Sequence, residues 1–409
     1  MRIQGTSNVE KDIAIFEYKN DGTIELYSKN GSEFISHDEM KKIRARPITG
    51  KYLLVKVDRK TYETKDLSLQ QQYEAFIKEA EKLKKLTNGK INLYKTGCVT
   101  KTSLQLFTDF LTITQPVRIE DYEIEIIEKC NNGALRYSRK YKGKAFKYDI
   151  CSCYPFIMQN RYMNFPTGRG KLKTLTKIEF GEMKFFKYGI YHVQVDNIDY
   201  SLFSHNRDNW YTHFELNRAI ELKYKLTLLE HENNVLIYDE LTNGTKLFKE
   251  YIDYLFKFKR AKHNEIKKYM NRLWGALVKL NSLNINSKKH KVKDNVQVLE
   301  LMPMNGENEV IAKVATEKYY ENSFARIKPF ITARARCMIS KLMEKNKDDI
   351  IYVHTDGFIL TQPIDASVKL GNDLGDLEYE GICDNCEVKN SNCAIGEFEI
   401  KKKTSMKRA

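Results

Sequence analysis

Asp149-Ile-Cys-Ser152-Cys-Tyr154-Pro155 is the stretch from which the rest of this chain can be read. Lys147-Tyr148-Asp149-Ile150 closes a β-type run that starts near Ala145, and Pro155 suits the first turn of a following helix. Two later segments answer it: Lys267-Lys-Tyr-Met-Asn271-Arg-Leu-Trp274-Gly275, then Tyr352-Val-His354-Thr355-Asp356-Gly357. Residues 350–354 and 358–360 read as a hairpin with Asp356-Gly357 at its turn. On a helix, Lys267, Asn271 and Trp274 fall on one face. Singly, each segment has an ordinary explanation: a capping aspartate, an amphipathic basic helix, an Asp-Gly turn. Together and in this order they supply two strand-end carboxylates, with a lysine and an asparagine between them. Two carboxylates can hold two magnesium ions, and magnesium keeps room for substrate phosphates.

The bulk properties agree. Lys and Arg outnumber Asp and Glu 69 to 54, a net charge of +15, and so basic a surface favours a polyanionic partner, nucleic acid first. The 25 tyrosines and 20 phenylalanines add stacking surfaces for bases. Hydrophobic residues make up 42% of the chain, which excludes a disordered polymer. No apolar run is long enough for a membrane helix, and Met1-Arg-Ile-Gln-Gly-Thr-Ser7 lacks the apolar centre of a signal peptide. An intracellular protein with reduced cysteines is expected, in the cytoplasm or a host replication compartment and not secreted.

Along the chain, residues 13–18 and 23–27 flank Asn20-Asp21-Gly22, a hairpin signal. Residues 51–57 form another β-type run. Ser68-Leu-Gln-Gln71 predicts a capping box, opening a helix with Leu69, Tyr73, Phe76, Ala80 and Leu83 on one stripe and Asn88-Gly89 as its stop. Residues 245–280 read as two antiparallel helices with a basic tip near 261–265. Residues 281–320 are polar and poorly periodic, with Lys288-Lys-His-Lys-Val-Lys293.

The three segments resemble the motifs of family B DNA polymerases of the viral and organellar type, the group that includes protein-primed enzymes. Asp149-x-x-Ser152-x-Tyr154-Pro155 is similar to that family's Asp-x-x-Ser-Leu-Tyr-Pro, with Cys153 for leucine. Lys267-x-x-x-Asn271-x-x-Trp274-Gly275 is similar to Lys-x-x-x-Asn-Ser-x-Tyr-Gly, with Arg272 for serine and Trp274 for tyrosine. Tyr352-x-His354-Thr355-Asp356-Gly357 is similar to Tyr-x-Asp-Thr-Asp-Ser, with His354 for the first aspartate. Asn131-Asn-Gly133-Ala134 matches the segment that precedes the palm, and Ala325-Arg-Ile-Lys-Pro-Phe-Ile-Thr-Ala-Arg-Ala-Arg336 the helix before the third motif.

The resemblance implies an α+β right-hand polymerase with an antiparallel-sheet palm, helical fingers and a short thumb, plus an N-terminal α/β region. Its divisions are expected at 1–90 (no assigned role), 91–200 (first part of the palm), 201–280 (a helical region including the fingers), 281–325 (an inserted loop or hairpin), 326–362 (second part of the palm) and 363–409 (short thumb and basic tail). It implies a DNA-directed DNA polymerase adding dNTPs to a 3′ hydroxyl on primer-template DNA, in a viral or mobile-element setting. A terminal protein as primer is one option. Asp149 and Asp356 would be the catalytic carboxylates and hold two Mg2+, with Mn2+ as a substitute. Tyr154 would lie under the sugar. Ser152, Lys259, Lys267, Asn271, Trp274 and Gly275 would meet the nucleotide, with Tyr352, His354 and Thr355 beside the third motif.

Asp121-Tyr-Glu123 has the opening pattern of a proofreading exonuclease but stands too close to Asp149, so no 3′-to-5′ exonuclease is expected. Cys383, Cys386 and Cys393 have the look of three zinc ligands without a fourth. Two rivals stand beside this reading. One is a non-catalytic nucleic-acid-binding relic, of which His354 and Arg272 would be the trace. The other is a polymerase with template-independent transferase activity.

Overall fold

The structure, a computed structural model, describes residues 9–19, 23–44, 52–55, 67–112, 116–286, 298–303 and 310–399. The expected turn at 20–22, the end of the β-type run at 56–57 and the basic run 288–293 lie outside them. The chain divides into two compact units, Met1–Leu111 with Glu250–Ala276, and Thr112–Lys249 with Leu277–Ala409.

The first unit holds a four-stranded sheet in the order Gly31–Ile35, Ile24–Ser28, Asp12–Tyr18, Tyr52–Val55. Its first three strands are antiparallel, and Tyr52–Val55 runs parallel to Asp12–Tyr18. Ile24, Leu26 and Ser28 turn inward at alternate positions, as the pleat requires, and join Ala14, Ile35, Met40 and Tyr52 in one apolar cluster. The helix Leu69–Leu86 opens on the expected capping box between Ser68 and Gln71 and buries Leu69, Phe76, Ala80 and Leu83. Tyr73 is half-buried, tilted against Tyr27 at 5.3 Å. Gly89 closes the helix with φ +76°, its N–H donating to the Lys84 carbonyl at 2.8 Å; a left-handed residue here relieves the last carbonyls.

The two expected helices are Gly244–Arg260 and Lys267–Leu277. Between them Lys262 turns the chain at φ +65°. The Tyr251 hydroxyl donates to the Tyr269 carbonyl at 2.7 Å, and Ser103 donates to the same carbonyl at 2.9 Å, so this pair is tied to the helix Val99–Phe110.

The second unit is built on a six-stranded antiparallel sheet in the order Cys393–Ile395, Leu377–Asn390, Tyr141–Ile150, Gly357–Leu360, Ile350–His354, Arg136–Ser138. The helix Lys328–Met343 opens with proline in its first turn and buries residues on every side, among them Phe330, Ile331, Ala335 and Ile339. A second sheet has the order Trp210–Thr212, Gly189–Asp196, Val235–Ile237, Lys171–Lys173, with Lys225–Leu228 also paired to Gly189–Asp196. Its core gathers Tyr191, Val193, Tyr211, Leu216, Val235 and Ile237.

Three expectations change. Residues 201–280 are not uniformly helical: Lys225–Leu228, Val235–Ile237 and Leu241–Asn243 are strands. They are too short to display a period, and partners distant in sequence specify them. Residues 281–325 hold a three-stranded sheet, Leu280–Asn286, Val310–Tyr320, Val298–Pro303, rather than a loop or single hairpin. Finally, much of the expected thumb is palm sheet: Leu377–Asn390 pairs along the whole of Tyr141–Ile150. Two register shifts, at Tyr379/Gly381 and Cys383/Cys386, break its alternation and hide the strand from pattern reading.

Two buried ion pairs tie helices together. Arg326, fully buried, donates through Nε and Nη2 to Glu123 at 2.8 and 2.7 Å and to the carbonyls of Val117 and Arg118. Glu123 also accepts from the Gly170 N–H at 3.0 Å. Burial is tolerated because these hydrogen bonds are made. Arg336 pairs with buried Glu215 at 2.6 Å. Cys383 and Cys386 lie in an apolar cluster with Ala145, Ile351, Ile359 and Val388. Among the described residues no three or more His, Cys, Asp or Glu are grouped to hold a metal, so the expected zinc set of Cys383, Cys386 and Cys393 does not form. Its cysteines serve as small apolar residues.

Candidate active site

The sheet register brings the two aspartates together. Asp149 stands opposite Gly357 on one neighbouring strand and opposite Glu378 on the other. Ile150 donates its N–H to the Asp356 carbonyl at 3.0 Å. A Cβ added to Gly357 would meet Asp149 Oδ1 at 2.9 Å, so the Asp149 carboxylate lies over the turn that carries Asp356. Only a glycine leaves room for it there.

Both aspartates adjoin left-handed backbone. Thr355 has φ +65° and Ser152 φ +52°. For a β-branched residue such a conformation is a true outlier, costing on the order of 1–3 kcal/mol, and outliers of this kind collect at functional sites. The Thr355 N–H donates to the Leu135 carbonyl at 3.2 Å. Ser152 caps the helix Cys153–Gln159 and is buried. Its position turns the chain from the Asp149 strand into that helix.

The titration of the neighbours reports the same focus of negative charge. Burial pushes the Cys153 thiol upward, and Asp356 and then Asp149 push it further. The Tyr154 hydroxyl is raised to about 12, by burial first, then by Cys153 and Asp356, with Arg336 opposing. Tyr352 and His354 stack on alternate positions of their strand, 6.2 Å apart and nearly parallel. The Thr355 hydroxyl and His354 Nδ1 are 3.2 Å apart. His354 lies opposite Arg136.

The other candidates lie in the first unit. Ile266, Tyr269, Met270, Leu273, Ala276 and Leu277 face inward; Lys267, Asn271 and Gly275 are exposed and Trp274 is half-buried. Nothing stands within 4 Å of a Cβ at Gly275. The outward face is thus the one the i, i+4, i+7 spacing predicts. Lys259 is half-buried, its ammonium 5.3 Å from the Phe256 ring.

Three residues were not singled out from sequence. Glu378 enters only through the register that sets it opposite Asp149. Arg336 and Glu215 enter through packing: Arg336 Nη1 donates to the Asn132 carbonyl at 2.7 Å and to that of Gly133, fixing the 131–134 segment. The arginine after an apolar helical run was the available signal, but its partner was not readable. Asp121 and Glu123 belong to helix capping and the buried pair with Arg326.

Two acidic side chains with oxygen donors fit magnesium, which takes few protein ligands and completes its shell with water and phosphate. The carboxylates that fit are Asp149 and Asp356.

No protein-family model matches the chain. A curated relative, described as a probable DNA polymerase of Neurospora intermedia, is 25% identical over 271 residues, 57% of this chain. The chain spans only 27% of that relative's length. Among solved structures, phi29 DNA polymerase complexed with single-stranded DNA superposes with a TM-score of 0.59 at 17% identity, covering 81% of this chain and 60% of that one. The same polymerase complexed with primer-template DNA gives 0.58 at 17% identity, over 97% and 74%. Its complex with primer-template DNA and incoming nucleotides gives 0.57 at 17%, over 84% and 61%. The antiparallel sheet carrying Asp149 and Asp356, with its flanking helices, is therefore part of a phi29 DNA polymerase fold.

Proposed function

We propose that this chain is a DNA-directed DNA polymerase that adds dNTPs to a 3′ hydroxyl. The observation that carries the reading is the register that lays the Asp149 carboxylate over the strained turn of Asp356. Asp149 and Asp356 would hold two Mg2+, or Mn2+ in their place. The ions' chemistry is to lower the pKa of the attacking hydroxyl and to neutralise the leaving pyrophosphate. The chain's own residues do the positioning. Tyr154 forms the floor beneath the sugar, raised in pKa and therefore neutral. The Ser152 turn aims the start of the Cys153–Gln159 helix at the triphosphate. Lys267, Asn271 and Lys259 hold the triphosphate and its base, with Trp274 and Gly275 shaping the same exposed helix face. The primer is a DNA 3′ hydroxyl or, as the motif resemblance implies, a protein hydroxyl.

The reading includes no 3′-to-5′ proofreading. On the N-terminal sheet, Glu17 and Glu25 both close on Lys19 at 2.9 and 2.7 Å, and Asp12 on Lys29 at 2.9 Å. These carboxylates are engaged by lysines rather than by one another, whereas two-metal nuclease chemistry needs them clustered. Among the described residues no helix is long and apolar enough to cross a membrane.

The test is primer extension on a primed DNA template with Mg2+ and dNTPs, beside Asp356→Ala. Template-directed products that disappear in the variant support the proposal. DNA binding without extension in either Mg2+ or Mn2+ would replace it by the binding-protein reading. Products that persist without template would make it a terminal transferase.

A further inference from the structure

The five-stranded sheet carries a second chemical feature that polymerisation does not use. His192, on the strand Gly189–Asp196, and His231, in the loop after Lys225–Leu228, turn their rings toward each other. His192 Nδ1 and His231 Nε2 stand 2.6 Å apart. The outer nitrogen of His231, Nδ1, is 2.7 Å from the Glu232 carbonyl. A carbonyl can only accept, so that nitrogen carries the proton. His192 has its own backbone hydrogen bond, to Asp208. With both outer nitrogens protonated, both inner nitrogens present lone pairs to the same point. Two lone pairs at this separation call for a cation between them.

The backbone holds the pair in place. His192 donates its N–H to the Asn234 carbonyl at 3.0 Å, and Leu229 donates to the His192 carbonyl at 3.1 Å. Buried Asn234 donates in turn to the carbonyls of Leu175 and Leu229. The loop bearing His231 is thus pinned at both ends. Trp210, opposite His192 on the next strand, stacks on its ring at 4.6 Å with an interplanar angle of 1°. Outer hydrogen bonds to backbone carbonyls and a fixed ring plane are what metal-ligating histidines use.

We propose that His192 and His231 form a two-imidazole site for a borderline divalent transition metal of the zinc class, with water completing the coordination. Tetrahedral zinc at about 2.0–2.1 Å from each nitrogen needs them about 3.3 Å apart. The inner nitrogens must therefore separate by about 0.7 Å. Exposed His231 can supply that by side-chain rotation. A shared proton is the competing occupant. Burial, His231 and Lys129 hold His192 below the usual imidazole range, against Asp208 and its backbone hydrogen bond, so the proton is disfavoured at neutral pH. The site stands on a different sheet from Asp149 and Asp356, and the inference does not depend on the polymerase reading.

The test reads Trp210. The chain has two tryptophans, and Trp274→Phe leaves Trp210 as reporter. Cu2+ is titrated into the full chain with excess Mg2+ present to occupy carboxylates, and Zn2+ is added as competitor. The expected result is saturable quenching, reversed by Zn2+ and lost in both His231→Gln and His192→Gln. His231 is exposed, so its variant keeps the fold, and circular dichroism confirms this for both. Quenching with no midpoint below about 1 mM, or quenching retained in His231→Gln, overturns the proposal. A fluorescence change with pH but none with metal also overturns it and assigns the point between the rings to a proton.

Discussion

Two sheets in this molecule carry acidic residues, and they treat them in opposite ways. On the N-terminal sheet, Glu17, Glu25 and Asp12 each close on a lysine near in sequence, Lys19 or Lys29. On the six-stranded sheet, Asp149 and Asp356 are brought to one place by strands far apart in sequence, beside a threonine held at φ +65°. The first arrangement lowers electrostatic energy and is cheap to form. The second places like charges together and stores backbone strain, which a fold retains where a cation or substrate is to be received. The contrast separates acids that stabilise from acids that work.

The strongest way to break the comparison is Asp356→Ala. If the turn carboxylate serves catalysis, extension should fall by about 10³-fold or more, because several kcal/mol of charge stabilisation is removed and each 1.4 kcal/mol is tenfold. The melting temperature should hold or rise, since a like charge is gone. A stable variant with near-normal extension would place the metal site elsewhere.

Next in size is Arg326→Met. It leaves Glu123 buried without its cation, and removal of one partner of a buried pair costs about 3–5 kcal/mol. Urea denaturation should show a loss of that order. A loss below about 1 kcal/mol would mean that Glu123 finds water or takes a proton at little cost. Gly357→Ala sharpens the catalytic side. Its Cβ meets Asp149 Oδ1 at 2.9 Å, so the carboxylate must move. A displacement approaching 1 Å costs about 10²-fold in rate, with kcat falling more than stability. Unchanged kcat would show that Asp149 tolerates repositioning.

The same contrast explains what could be read in advance. The Asp149 turn, the Asp356 hairpin, the Ser68 capping box and the outward face of Lys267 and Asn271 are local patterns, and each is seen in the structure. Glu378 and the strand Leu377–Asn390 were illegible. Two register shifts destroy the alternation, and only pairing with Tyr141–Ile150 makes a strand of it. Arg336 was quoted only as the end of a helix. Its link to Glu215 and to the Asn132 carbonyl is a fact of packing. The cysteine spacing suggested metal because spacing says nothing of the apolar cluster into which the bulged strand turns Cys383 and Cys386.

The smallest expected effect tests the stabilising acids. Lys19→Met removes the ammonium shared by Glu17 and Glu25, and exposed pairs of this kind contribute about 0–1 kcal/mol, less in salt. Its pH signature is more informative than its size. The hydrogen bond from Lys19, then that from Ser32, holds the Glu25 carboxyl below its usual range. A carboxyl depressed on folding adds stability that is present above its unfolded pKa and is lost as pH falls through the folded value. Lys19 itself is raised, by Glu25 and then Glu17, so its contribution persists until strongly alkaline pH. Between neutral and acid pH, Glu25 is therefore the group that moves. The stabilities of wild type and Lys19→Met should differ at neutral pH and converge below the ordinary carboxylate range. A gap that stays constant into acid would assign the difference to the packing of the lysine stem instead of its charge, and the N-terminal acids would then no longer stand as the stabilising half of the contrast.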